Sequence, residues 1–202
     1  MLEIDEKDVG YDPEQPISGS ANLAVVEENA AREVLALYQK FRSRFGRSDL
    51  PGIVKCFATS PPMLKSMIDL ATEFLFVDSQ LTRKDKEMVA TLISSQNECP
   101  YCANSHGNLF LAQGGSTEVL CALATGALGS ACFTQPEQAL LRFALTVNAN
   151  SRSITRAGIE KTMQAGWTEA QLAEVVHLAA LFAAFSRIAN AFGVPAPNLH
   201  LP

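Results

Sequence analysis

The stretch 97–110, NECPYCANSHGNLF, sets two thiols three positions apart, Cys99 and Cys102, and an imidazole, His106, four positions further on. Such thiols can cycle through a disulfide or bind a metal, and an imidazole within reach can take a thiol proton. At 3.6 residues per turn, positions 99, 102 and 106 span only about 60° of a helix circumference, so the three can share one face. Pro100 suits a first helical position and Gly114-Gly115 suits a stop, so the motif is expected to open a helix. Cys99 near the cap and Cys102 in the first turn would both feel the positive end of the helix dipole, which favours thiolate.

Glu87 belongs to the preceding helical stretch, with the small residues Ala90, Thr91 and Ser94 toward its C-terminal end. Small neighbours leave room for a carboxylate to meet a partner helix. A carboxylate beside His106 would hold its tautomer and stabilise the imidazolium, completing an acid, base and nucleophile set. Taken alone, Glu87 reads equally well as part of a solvated face; core filling is the lesser reading for a lone CxxC, and lesser still with a histidine four positions on. Zinc is the rival chemistry, but a structural site wants four ligands, and this segment offers three with no second CxxC and no HxxxH. A thioredoxin-type reading would need a preceding strand. His177, inside AEVVHLAALF, is expected in the core or at an interface, and His200 in an exposed tail.

The elements that must position these groups read as helices throughout. Apolar spacing of 3.6 predicts a helix over about 22–45 stopped by Gly46, a second opened by Ser60-Pro61-Pro62, and a third from Thr82-Arg83-Lys84-Asp85 to about Asn97. Further helices are expected over 117–125, 134–149, 155–165 and 168–192, with a longer Gly- and Ser-containing connection at 126–133. No segment alternates with period two, so the class is all-α, with residues 21–202 as a single helical domain. Residues 1–20, acidic and rich in Pro and Gly, read as an extended or disordered arm. A weak internal two-fold echo links the stretch opened by Leu81-Thr82 with that opened by Trp167-Thr168. In an ungapped overlay the cysteines fall on Phe185 and Ile188, so chemistry belongs to the first copy.

Composition narrows the classes further. With 202 residues, 48% of them hydrophobic, the chain can bury a core without disulfide staples. A net charge of -5 with scattered basic residues gives no footprint for nucleic acid or an anionic membrane. The apolar run 172–192 carries Glu174, His177, Ser186, Arg187 and Asn190 and reads as a buried helix, not a membrane span. Five cysteines at irregular spacing behind an N-terminus without an apolar leader point to a reducing, cytoplasmic setting, with Cys56, Cys121 and Cys132 expected as inert packing.

Glu87, eleven intervening residues, Cys99-Pro100-Tyr101-Cys102, three residues and His106 together reproduce E-x11-C-x-x-C-x3-H. In that signature the chain resembles the peroxidase branch of the alkylhydroperoxidase D and carboxymuconolactone decarboxylase superfamily. The likeness extends more loosely over about 50–193, including Leu50-Pro51 and Ala165-Gly166-Trp167-Thr168. It implies an AhpD-like orthogonal bundle of helices, a homo-oligomer such as a trimer or hexamer, and reduction of alkyl hydroperoxides or hydrogen peroxide without a bound cofactor. By the same resemblance Cys102 is the peroxidatic nucleophile and Cys99 the resolving thiol, the two forming a redox-active disulfide. Glu87 and His106 form the proton relay, and an external dithiol or disulfide reductase regenerates the pair. Some members carry a histidine just before the nucleophile, where this chain has Tyr101. The competing class is a helical oligomerisation or redox-sensor module whose CxxC oxidises once and stops.

Overall fold

The computed structural model describes residues 22–28 and 30–197, so the arm expected over 1–20 and His200 lie outside the described residues. Among the described residues there are nine α-helices and no strand: α1 (Arg32–Phe45), α2 (Gly52–Phe57), α3 (Pro61–Leu70), α4 (Arg83–Gln96), α5 (Pro100–Ala112), α6 (Thr117–Thr125), α7 (Gln135–Asn150), α8 (Arg156–Gln164) and α9 (Glu169–Phe192). The chain is all-α, as its periodicity requires.

Helix α4 is the axis of the bundle, packed by α5, α6, α7 and α9. Every residue from Lys86 to Ser94 is buried, so this helix has no solvent face over that span and its polar residues must find partners inside. Helix α9 is long and apolar enough to cross a membrane by length and composition. Here it packs against α2, α4, α5, α7 and α8, and buries Leu172, Val175, Leu178, Phe182 and Ala189.

Most of the expected helix starts keep their chemistry, but Ser60 makes no side-chain capping hydrogen bond at α3, which opens on Pro61 and Pro62 alone. Thr134 with Glu137 and Thr168 with Gln171 form reciprocal capping boxes at α7 and α9. At α4, Thr82 Oγ1 accepts from the Asp85 amide at 3.1 Å, but the shorter Asp85 carboxylate takes the Thr82 hydroxyl in place of the backbone. The Arg83 amide is met instead by Asp78 at 2.6 Å. Gly46 ends α1 in the left-handed region at φ 60°, the stop its position predicts.

Three local features depart from the periodicity reading. Residues 22–28 are not helical, because their backbone is used elsewhere: the Asn22 amide donates to Phe192 O at 2.7 Å and Val26 accepts from Tyr38 Oη at 2.5 Å. Helix α2 is too short to register a period. Helix α3 runs on into a π-helical turn, Ala71–Leu75, which turns the Phe74–Phe76 segment toward α4 and the cavity described below.

The internal echo holds at the caps and fails at the cysteines. Helix α4 stops at Asn97, whereas α9 runs uninterrupted through the corresponding Ala183 and Ala184. Glu98 takes a φ of 51° and Pro100 restarts the chain as a new helix, a break the second stretch has no residues to make.

A buried ion pair fixes the approach to α4. Lys86 Nζ lies 2.7 Å from Glu174 Oε1 of α9, with side chains only 2% and 6% exposed. Lys86 also donates to Phe74 O at 2.6 Å and Ser79 Oγ at 2.7 Å. Glu174 accepts from Ser79 Oγ at 2.5 Å and from the Gln80 and Leu81 amides at 3.0 and 3.2 Å. Burial works to raise the Glu174 pKa, but the Lys86 and Ser79 hydrogen bonds and the Lys86 charge prevail and hold it below its ordinary value. Glu174→Ala leaves a buried ammonium without its carboxylate and is expected to cost about 3–5 kcal/mol. Because the folded pKa is lowered, the stabilisation is full above the unfolded carboxylate range and is lost as pH falls through the folded value. Urea unfolding of wild type and variant should therefore differ widely at pH 7 and converge in acid. A gap that does not narrow would contradict this assignment.

Candidate functional site

The turn between α4 and α5 is held from three sides. The Cys99 amide donates to Ser94 O at 3.0 Å, and Asn190 Nδ2 of α9 donates to the Asn97 and Glu98 carbonyls at 3.4 and 3.2 Å. The Asn97 and Asn148 side-chain amides exchange hydrogen bonds at 3.2 and 2.9 Å, tying the same turn to α7. These contacts fix Glu98 in the left-handed region, where a non-glycine residue is uncommon.

Cys99 is the N-cap of α5, with Pro100 at the first helical position. Its sulfur takes the place a cap oxygen usually fills, accepting from the Cys102 amide at 3.4 Å. Both thiols are buried and unbridged, Cys99 at 1% exposure and Cys102 at 4%. The hydrogen bond from the Cys102 thiol, with lesser help from the Cys102 and Tyr101 amides and the Ser186 hydroxyl, brings the Cys99 pKa down to about 7 against the effect of burial. Cys102 is pushed up, first because it gives its proton to Cys99 and then by burial and by the Cys99 charge. As pH rises through about 7 the pair thus passes from two protons to one shared between the sulfurs. Ser186, buried on α9 without a well-formed hydrogen bond, lies close enough to both sulfurs to favour their thiolates.

An ultraviolet thiolate titration of the reduced protein should show one group ionising near pH 7, the range into which its surroundings bring Cys99. That group should vanish in Cys99→Ser. A first ionisation only at the free-cysteine value, about 8.5, would contradict the pairing.

Glu87, 2% exposed at the centre of α4, has a partner on each oxygen: Oε2 lies 2.6 Å from His106 Nδ1, and Oε1 accepts from Arg83 Nη2. A carboxylate only accepts, so Nδ1 carries the hydrogen and the neutral imidazole keeps its lone pair on Nε2. The His106 ring meets Phe182 of α9 edge to face, with centroids 4.6 Å apart. The Arg83 guanidinium lies over the Phe76 ring at 4.7 Å.

Cys102, His106 and Arg83 line one cavity of about 780 Å³. Its walls are largely aromatic and aliphatic, including Phe41, Phe45, Phe76 and Phe185, with Arg47 and Asp49 paired at 2.6 Å. Cys99 does not line it, so Cys102 is the sulfur a molecule in the cavity would meet. Tyr101 lines the same cavity: its hydroxyl accepts from the Ile53 amide at 3.1 Å, which docks α2 against the motif, and burial pushes its pKa up to about 12.

The structure thus brings Glu87, Cys99, Cys102 and His106 into one neighbourhood. The other sequence candidates fare differently. Cys56 is buried, with its thiol pushed up to about 11 by burial, and it packs in the same apolar cluster as the pair. Cys132 is half-buried, but Cys121 is exposed, contrary to its expected packing role, because it faces outward from α6. His177 is not a core residue. It is exposed on α9, with its ring 6.4 Å from that of Phe74. Among the described residues no group of three or more His, Cys, Asp or Glu side chains is placed to hold a metal ion. Sequence reasoning passed over Arg83, which stands one helical turn before Glu87, and Ser186 and Asn190, which reach the turn only through the packing of α9.

Comparison with known proteins bears on the fold and the family. Residues 61–146 match the carboxymuconolactone decarboxylase family. None of the curated proteins matches. Among solved structures, the alkylhydroperoxidase AhpD core of an uncharacterized peroxidase-related protein from Ralstonia eutropha JMP134 superposes with a TM-score of 0.79 at 22% identity, covering 91% of this chain and 94% of that one. An uncharacterized peroxidase-related protein from Silicibacter sp. TM1040 gives 0.76 at 20% identity, covering 92% and 96%. The debrominase Bmp8 in complex with 2,3,4-tribromopyrrole gives 0.71 at 13% identity, covering 88% and 92%.

Proposed function

We propose that the chain, whose residues 61–146 match the carboxymuconolactone decarboxylase family and whose fold is AhpD-like, is a thiol-dependent peroxidase acting through Cys99 and Cys102. The observation that carries this reading is the pair's asymmetry: Cys102 opens onto an apolar cavity beside His106, while Cys99 sits behind it at the helix cap. A redox sensor needs no cavity of about 780 Å³. A catalyst that admits an organic hydroperoxide does.

In the proposed cycle the shared proton passes from Cys102 to His106, and the Cys102 thiolate attacks the terminal oxygen of the peroxide. The S–O bond forms as the O–O bond breaks, and His106 returns a proton to the departing alkoxide, giving Cys102 sulfenic acid and an alcohol. The Cys99 thiolate then displaces hydroxide from that sulfenic acid to form the disulfide, the hydroxide taking a proton from solvent, and an external dithiol is oxidised by exchange as both thiols are restored. The reading calls on no bound cofactor. Although Cys99 holds the first negative charge, the sulfur that attacks is the one with access, because proton transfer from Cys102 is fast compared with displacement at oxygen. We also place assembly of copies on α9, where Ala173, Val176, Ala180 and Ala184 form an exposed apolar stripe.

Steady-state reduction of cumene hydroperoxide, supported in turn by several dithiols, tests the reading. Continued turnover of peroxide with at least one dithiol is expected. Oxidation that stops after one equivalent with every reductant would leave the sensor class standing instead.

A further inference from the structure

Glu87 is almost fully buried and has two nitrogen partners, yet only one of them can give up its charge. An imidazole can take up and release a proton, whereas a guanidinium stays protonated throughout. Arg83 reaches Glu87 Oε1 from one turn earlier on α4, its side chain 15% exposed and flattened on Phe76, while His106 holds Oε2. We propose that Arg83 is a positioning residue for the reaction, a fixed counter-charge that neutralises Glu87 so that the mobile protons of the site rest on His106 and the two thiols. This rests on the peroxidase reading above and adds to it the residue that sets the pH range of the relay.

The physical need follows from burial. A carboxylate stripped of water and given only an imidazole would hold a proton, either on itself or on the ring beside it. The ring could then no longer accept one from Cys102. With Arg83 in place the carboxylate is already compensated, and it still steadies the imidazolium that forms for part of the cycle. Arg83 Nε is buried without a partner, so the guanidinium is held by Glu87 and Phe76, not by a full set of acceptors.

Other charges around the site do not duplicate this role. Lys86 of α4 and Glu174 of α9 neutralise each other, and Arg47 and Asp49 do the same at the cavity wall. Arg44 of α1 lines the cavity from an exposed position. From α5 the ionisable neighbours are Cys102, the cap residue Cys99 and Tyr101, whose pKa burial pushes up to about 12, and from α9 the groups facing the dyad and the thiols are Phe182 and Ser186. On α6 and α7, Glu118 and Arg142 are exposed and Glu137 is engaged in its cap.

The test is the pH dependence of two reactions in wild type, Arg83→Met and Arg83→Lys. One is peroxide reduction; the other is single-hit alkylation of Cys102 by iodoacetamide in a Cys99→Ser background, which needs no peroxidase activity. Removing a fixed positive charge favours every protonated form nearby, so the acid limb of both profiles should move to higher pH in Arg83→Met, by on the order of one to two units. Arg83→Lys, which keeps the charge, should restore most of the wild-type position. Circular dichroism and urea midpoints of each variant identify any that fails to fold, in which case Arg83→Gln replaces it. Uniform loss of rate with an unmoved limb, or a Lys variant that behaves like Met, would overturn the proposal. Absence of peroxide turnover in the wild type would overturn the peroxidase reading, while the alkylation profile would still decide the role of Arg83.

Discussion

Cys102→Ser abolishes peroxide reduction, while Cys99→Ser reacts once and stops: that is the expected outcome of exchanging each sulfur in turn. The asymmetry comes from placement. Cys102 lines the cavity and Cys99 lies behind it at 1% exposure, so only the former can reach a peroxide oxygen. A serine hydroxyl cannot replace a thiolate at neutral pH, because its proton is held far too tightly. Without Cys99 the sulfenic acid on Cys102 has no thiol to condense with and stays trapped or oxidises further. Dimedone labelling after one equivalent of peroxide should mark Cys102 in Cys99→Ser and nothing in Cys102→Ser. Labelling of Cys99 in Cys102→Ser, with none on Cys102 in the other variant, would reverse the two roles.

Glu87→Gln and His106→Gln should each lower the rate of peroxide reduction by about 10²–10⁴-fold, the range typical of positioned acid and base groups. The two losses have different origins. His106→Gln removes the proton acceptor itself. Glu87→Gln keeps the shape at the centre of α4 but removes the charge that orients Nδ1 at 2.6 Å and steadies the imidazolium. Because the two residues act as one unit, the double variant should be little worse than the more damaged single variant. Losses that multiply would show that they act separately. Stopped-flow rates of Cys102 oxidation, with far-ultraviolet circular dichroism as a fold control, decide this.

Much of this architecture was legible in the residues because its signals are local. A threonine three positions before Glu137 or Gln171, glycine after α1, and proline after Cys99 mark helix ends whatever surrounds them. The meeting of the four candidate residues was legible for the same reason, since their spacing carries them to one helix crossing. What stayed hidden depends on distant partners. The non-helical course of residues 22–28 is set by backbone bonds to Phe192 and Lys55, and no periodicity encodes those. Ser186 and Asn190 read as ordinary polar positions in an apolar helix until α9 packs them against the cysteine turn. Arg83 read only as part of a capped helix start, because its value depends on Glu87 being buried, and burial is a property of the whole bundle. Cys121 erred in the opposite direction: apolar neighbours in sequence suggested packing, but the face of α6 that carries it is turned to solvent.

The most direct measurement is peptide mass mapping of the reduced protein after one equivalent of an organic hydroperoxide. A loss of two hydrogens confined to the peptide that joins Cys99 and Cys102, reversed by a dithiol, is the predicted result. Oxidation mapping instead to Cys56, Cys121 or Cys132, with the Cys99 and Cys102 thiols unchanged, would contradict the proposed redox centre.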